Sequence, residues 1–217
     1  MQIDQAKQEA QEKRERLIQV TGGPMPYEKF TLERFESISG NEEAFSLGGN
    51  FDPEETNLFL WGCCGGGKTH LSTAIARKQA EKGVRVSRQT VAEFLRNFRA
   101  LEGYVEQEKI SVYARIPMLI WDDLGRGNIS DFGLDILCEI ADKRLMNYRR
   151  GLIVTSNFSP EQLVSKFQDD RLVSRLVGMC SVAHMEGPKE CHGDWRIKIA
   201  AAQDKPVSVR NPDGAVR

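Results

Sequence analysis

Gly62-Cys63-Cys64-Gly65-Gly66-Gly67-Lys68-Thr69 is the run whose residue types and spacing most directly imply chemistry. It fits G-x-x-x-x-G-K-[ST], a loop whose glycines let backbone N–H groups converge on a polyphosphate without Cβ clashes. A helix opening near Lys68 adds the positive end of its dipole. Lys68 is placed to reach β and γ phosphates, and the Thr69 hydroxyl to bind Mg²⁺. Cys63 and Cys64 fill unrestricted positions of the loop. A thiol at a helix N-terminus loses its proton more readily, so alkylating this pair is expected to block nucleotide binding, with ATP protecting.

Some fifty residues later the apolar run Met118-Leu119-Ile120-Trp121 ends in Asp122-Asp123. Acids at the carboxyl end of a buried strand sit beside the crevice in which such sheets bind ligands. Asp122 is the expected Mg²⁺ residue and Asp123 the expected base orienting an attacking water. Aspartate is a methylene shorter than the glutamate many such ATPases carry, which predicts slow hydrolysis. Leu152-Ile153-Val154-Thr155 runs into Ser156-Asn157. Asn157 is the candidate to hydrogen-bond the water or the γ-phosphate; the alternative is that it only begins the turn through Phe158, Ser159 and Pro160.

The elements that must hold these groups alternate along the chain. Strands are expected at Leu58–Trp61, Val84–Ser87, Met118–Trp121, Leu152–Thr155 and near Ser181–Met185. Helices are expected at Thr69–Lys82, Thr90–Arg99, about Val105–Ala114, Ser130–Arg149, Pro160–Phe167 and Asp170–Val177, with Asn41 capping a short one over Glu42–Phe45. Short apolar strands alternating with helices predict a parallel sheet of five strands covered on both faces, an α/β P-loop NTPase of three layers. Residues 1 to about 20 carry a weak apolar stripe on a charged helix, broken at Thr21-Gly22-Gly23-Pro24, and read either as a solvated tail or as a helix ordered by a partner. The division expected is an extension over 1–50, an ATPase domain over 51–198 and a polar tail over 199–217.

Composition narrows the class. The 217 residues suit one α/β core, and 40% hydrophobic residues suffice to fill it. Thirty Lys and Arg against 31 Asp and Glu leave a net charge of −1, which argues against bulk coating of nucleic acid but not against a local basic strip. No apolar run approaches the roughly 20 residues of a membrane span, and Met1–Arg16 lacks the apolar stretch of a signal peptide. Five irregularly spaced cysteines fit reduced thiols, so a cytoplasmic protein is expected. Cys180, His184, Cys191 and His192 match no usual zinc spacing and are expected to be ordinary strand and loop residues.

In their order, Trp61–Leu71 (WGCCGGGKTHL), Ile120–Gly125 (IWDDLG), Ile140–Arg144 (IADKR), Thr155–Phe158 (TSNF) and Asp170–Leu176 (DRLVSRL) resemble the DnaC/DnaI-type helicase loaders and IstB-type transposition ATPases, over roughly residues 24–197. His70-Leu71 and the D-x-x-V-S-R run are the more specific parts, and His70 is counted with the loop as a nucleotide-binding residue. The resemblance implies an AAA+ core without a C-terminal helical lid, self-association with ATP at subunit interfaces, and single-stranded DNA in a central channel. Through the matching SRL segment it makes Arg175 the arginine finger that completes a neighbour's site, with Arg171 as a second candidate. It also implies a DNA-touching helical insertion over about Thr90–Arg115, where Arg96, Arg99, Lys109 and Arg115 could meet phosphates while Phe94, Phe98 and Leu101 pack as core. The resemblance assigns no role to Arg144. It puts the extension over 1–50 on the partner.

The leading reading is therefore an ATP-hydrolysing loader of a replicative helicase onto single-stranded DNA. A transposition regulator acting with a transposase on double-stranded DNA is the nearest alternative. A small-molecule kinase would need a substrate pocket and an arginine-bearing lid, and a non-hydrolysing scaffold would not need Lys68, Asp122 and Asp123 together.

Overall fold

The computed structural model describes residues 30–99, 101, 103–147, 150–188 and 195. Five strands, β1 (Leu58–Gly62), β2 (Val86–Thr90), β3 (Met118–Leu124), β4 (Leu152–Ser156) and β5 (Ser181–Met185), form one sheet in the order β2-β3-β4-β1-β5. Every pairing is parallel. The helices are α1 (Glu42–Gly49), α2 (Lys68–Glu81), α3 (Val91–Arg96), α4 (Tyr104–Arg115), α5 (Asp131–Met146), α6 (Pro160–Phe167) and α7 (Arg171–Met179).

Strand periodicity separates two cores. Leu58, Leu60, Met118, Ile120, Ile153 and Ala183 face Ala44 of α1 and Leu71 and Ile75 of α2. Phe59, Leu119, Trp121 and Val154 face the other way, onto residues of α3, α4, α5, α6 and α7. Successive side chains of a strand point to opposite faces, so one sheet serves both layers. Phe94 and Phe98 are fully buried with Trp121 in the second core, as the helical spacing predicts. Among the described residues no helix is long and apolar enough to cross a membrane.

Several boundaries move for identifiable reasons. β2 begins at Val86 and runs through Ser87, Arg88 and Gln89 to Thr90, where the sequence pattern stops the strand at Ser87. It is an edge strand held in register by β3, with Val86 beside Met118 and Thr90 beside Asp122, so its polar residues need not be apolar to be strand. β3 continues past the acids to Leu124, with a register shift against β4 between Trp121 and Leu124. α1 absorbs Gly48 and Gly49, which read as a turn. A Cβ on Gly48 would lie 2.9 Å from Leu71 Cδ1, so glycine there permits the close approach of α1 to α2. Asn41 makes no side-chain cap on α1; its Oδ1 accepts from Ile38 N–H at 2.8 Å instead. α5 ends at Met146 rather than Arg149.

The expected helix over residues 1 to about 20, and the tail after 198, lie outside the described residues, as do Cys191 and His192. Cys180 is pushed up to about 12 by burial, which disfavours the thiolate a metal needs, and the His184 ring packs on Trp61 with centroids 4.2 Å apart.

Candidate functional site

The loop leaves β1 through Gly62 at φ 144° and enters α2 through Gly67 at φ 94°, conformations that side chains with a Cβ rarely adopt. A Cβ on Gly62 would stand 2.0 Å from the Met185 carbonyl oxygen, so β5 itself demands a glycine here. Lys68 begins α2 and is 5% exposed. Its ammonium donates to the carbonyls of Gly62 at 2.9 Å and Cys63 at 2.7 Å, and so lies across the loop. Burial pushes its pKa down, partly opposed by the thiols of Cys63 and Cys64 and by the two acids. Gly65 and Gly66 complete the curve, with Gly66 N–H donating to Cys63 O. Both cysteines are exposed on it.

Sheet register brings the acids to the loop. Asp122 stands beside Thr90 of β2, and β3–β4 pairing carries it to the level of Thr155. Asp122 shares the α2 side of the sheet with Ile120, two residues before it. The Thr69 hydroxyl lies 3.3 Å from Asp122 Oδ1, and Thr155 Oγ1 donates to the same oxygen at 2.6 Å. Thr155 Oγ1 also accepts from Asp123 N–H at 3.0 Å, so one hydroxyl fixes both acids. Asp123 has φ 60°, a left-handed conformation that costs a non-glycine residue about 1 kcal/mol or more and turns the chain out of the sheet. Its carboxylate takes a hydrogen bond from Arg126 at 3.1 Å.

One member of the cluster was not foreseen from sequence. Arg88, 7% exposed on β2, donates from Nη2 to Asp122 Oδ2, a buried ion pair. An arginine between Ser87 and Gln89 reads as surface, and only the β2–β3 register reveals it. Thr155 reads in the sequence as the last residue of an apolar strand, yet it is the β4 side chain that touches both acids. Asn157, expected in that place, lies exposed one residue beyond β4. Ser156 fixes the exit between them, donating to Leu124 O at 2.7 Å and accepting from Phe158 N–H.

His70, counted with the loop, makes its contacts elsewhere. Its Nε2 is 3.0 Å from Thr31 O and its ring packs against Phe30 and Phe35, none of them a loop residue. Burial pushes its pKa down. Arg175 lies on α7, paired with Asp142 of α5 and donating to Arg171 O at 2.8 Å. Arg171 pairs with Asp169 and Asp135. Neither set contains a loop residue or either of the paired acids. In the insertion, Lys109 donates to Asn97 O at 2.8 Å and stands over the Phe98 ring, and Arg96 lies 3.9 Å from Glu93.

Arg144 also gains a role. Fully buried in α5, its guanidinium donates to the carbonyls of Tyr113, Ala114 and Ile116 at the end of α4, and to Arg150 O before β4. It satisfies the last carbonyls of one helix with a charge suited to that end.

The donor set suits ATP with Mg²⁺. A hydroxyl and a carboxylate within 3.3 Å offer hard oxygens, and a lysine and helix N-terminus converge on the loop beside them. The comparisons agree: the IstB-like ATP binding protein family matches residues 45–189. The chain belongs to that family. This IstB-like protein is 26% identical over 147 residues to the replicative helicase loader DnaI of Bacillus subtilis, a match covering 62% of this chain and 47% of DnaI. It is 25% identical over 161 residues to an ATP-binding protein assigned to insertion sequence IS232 of Bacillus thuringiensis subsp. berliner, covering 71% of this chain and 63% of that protein. The chain thus spans less than two thirds of either relative. Its fold is that of the DnaC helicase loader (TM-score 0.64, 24% identity, 75% of this chain and 100% of that one). It is also that of AMPPCP-bound DnaA from Aquifex aeolicus (TM-score 0.67, 22% identity, 82% and 57%). The IstB-like chain is an AAA+ ATP-binding protein, with the five-stranded α/β architecture expected.

Proposed function

We propose that this AAA+ protein hydrolyses ATP with Mg²⁺ at interfaces between its own copies and uses that cycle to place a replicative helicase on single-stranded DNA. The observation that carries the reading is the contact of Thr69, on the loop that Lys68 lies across, with Asp122, which the Thr155 hydroxyl fixes together with Asp123. In this reading Thr69 and Asp122 hold the metal, which neutralises charge between the phosphates. Lys68 orients the phosphates from the loop made by Gly62, Cys63, Cys64, Gly65, Gly66 and Gly67. Asp123 takes the proton of the attacking water, and Asn157, exposed just after β4, orients it. Arg175 acts on a neighbour's site, which fits its pairing with Asp142 and Arg171 rather than with the loop of its own chain. Residues 51–198 form the ATPase domain, into whose core Phe35 and α1 of the 1–50 extension pack, the remainder of that extension grips the partner, and 199–217 are a tail. A cytoplasmic protein, with the thiols of Cys63 and Cys64 reduced, fits this reading.

The helicase partner is supported by the likeness to DnaI; a transposase partner is supported by the likeness to the insertion-sequence protein. Two measurements decide. Lys68→Ala is expected to lose nucleotide binding, and Arg175→Ala to keep binding but lose turnover by about 10³-fold. Mixing the two inactive variants is expected to restore phosphate release at mixed interfaces, since one supplies the loop and the other the arginine. No restoration would refute the trans arrangement. Separately, the protein is incubated with a purified helicase from its own host on single-stranded DNA. ATP-dependent deposition of helicase supports loading; stimulation of a transposase on duplex DNA alone would replace it with the second reading.

A further inference from the structure

Arg88 belongs to no motif of the chain, and its place is unusual. It lies on β2, on the same face as the Mg²⁺-site acid, with Ile120 beside it and Asp122 one step further along that face. Arg88 is 7% exposed and Asp122 3% exposed. Nη2 holds Asp122 Oδ2, while Nε, also buried, makes no hydrogen bond. The remaining oxygen, Oδ1, takes the hydroxyls of Thr69 and Thr155. The carboxylate is thus fully engaged by this chain's own donors, and a full positive charge stands where a dication would have to be tolerated.

We propose that Arg88 is a resident counter-cation that makes metal binding at Asp122 conditional on nucleotide. A guanidinium buried against a carboxylate occupies one of its two oxygens and repels a second cation at close range, where solvent screens little. Metal alone gains too little from Asp122 and Thr69 to overcome that repulsion. With a polyphosphate on the loop, several further negative charges enter the same pocket, and the balance reverses. The arginine remains paired with Oδ2 while Oδ1 faces Thr69. Arg88 is therefore a positioning residue, acting through Asp122. This inference rests on the reading of Asp122 as the metal residue.

The test titrates Mn²⁺, followed by electron paramagnetic resonance of the unbound ion, with and without ATP, each ATP titration being read against the same ATP without protein. Wild type and Arg88→Lys, which keep the charge, are expected to bind Mn²⁺ alone weakly and alike. Arg88→Gln, which keeps a donor for Asp122 but removes the charge, is expected to bind Mn²⁺ alone about tenfold more tightly or better, and R88Q/D122N to lose that gain. Arg88→Gln binding no tighter than wild type overturns the proposal, as does Arg88→Lys binding as tightly as Arg88→Gln. A second measurement does not need the Arg88 variants to fold, and is made at a temperature where circular dichroism shows Asp122→Asn, itself destabilised, to be folded. Asp122→Asn in the wild-type background is expected to leave Mn²⁺-alone binding unchanged and to weaken Mn²⁺ binding in the presence of ATP. A loss in the absence of ATP would show Asp122 open to metal beside Arg88, and would sink the idea. If wild type binds no Mn²⁺ even with ATP, the metal-site assignment itself fails, a result distinct from either of these.

Discussion

Asp122 and Arg175 are charged residues assigned to one reaction, yet their surroundings differ in kind. Asp122 sits in a pair whose side chains are 8% and 4% exposed, wired to Thr69, Thr155 and Arg88 from three other elements. Arg175 sits in a pair whose side chains are 32% and 34% exposed, joined to α5 by one carboxylate. The hydrogen bond to Asp142 raises the pKa of its guanidinium, so the charge is secure, but its position is held by contacts that water can replace. One region is preorganised by folding; the other keeps a charge available. On the proposed reading that division is what a shared site requires, because the residue that must engage a neighbour cannot also be locked into its own core.

The sharpest way to break this comparison is thermal and denaturant unfolding of Asp122→Asn beside Arg175→Ala. Removing the Asp122 charge leaves Arg88 buried and uncompensated, with an expected loss of about 3–5 kcal/mol. Thr155→Val should follow, at about 1–3 kcal/mol, because Asp123 N–H loses its partner and Asp122 Oδ1 keeps only Thr69 while the shape is kept. Arg175→Ala should cost under about 1 kcal/mol, as exposed pairs do. Equal losses for Asp122→Asn and Arg175→Ala would erase the distinction.

A smaller effect concerns the loop's other flank. Burial lowers the His70 pKa, so the unfolded chain binds the proton more readily than the folded one. The contribution of the neutral ring is present above about 6.5, the ordinary value, and is lost as pH falls toward the lower folded value. Melting curves between pH 7.5 and 5.5 should show a slope that His70→Gln removes. An unchanged slope would mean that the Thr31–Phe35 clasp does not sense the ring's charge.

How much was legible in the sequence follows from distance along the chain. The loop was readable because Gly62 to Thr69 are contiguous and each type has one physical use there. The two acids were readable because an apolar strand pointed at them. The sheet faces followed from alternation, and α6 and β5 match their expected bounds. Arg88, Thr155 and Arg144 were not readable as site or anchor residues, because each takes its meaning from strands or helices distant in sequence. The end of β4 shows why: the pattern draws attention to Asn157, while the hydroxyl that touches both acids is that of Thr155, two residues earlier. Asp123 was identified by position, though its left-handed backbone and the register shift beside it were not.

Arg144 gathers the end of α4 and the approach to β4 under one guanidinium. Those two segments therefore cannot shift independently without exposing several carbonyls. A load applied to α4 by anything it touches is delivered to the near end of the strand whose far end carries Thr155. The end of α4 and the entry to β4 are in this sense fastened by one side chain, so that a displacement of either is felt by the other.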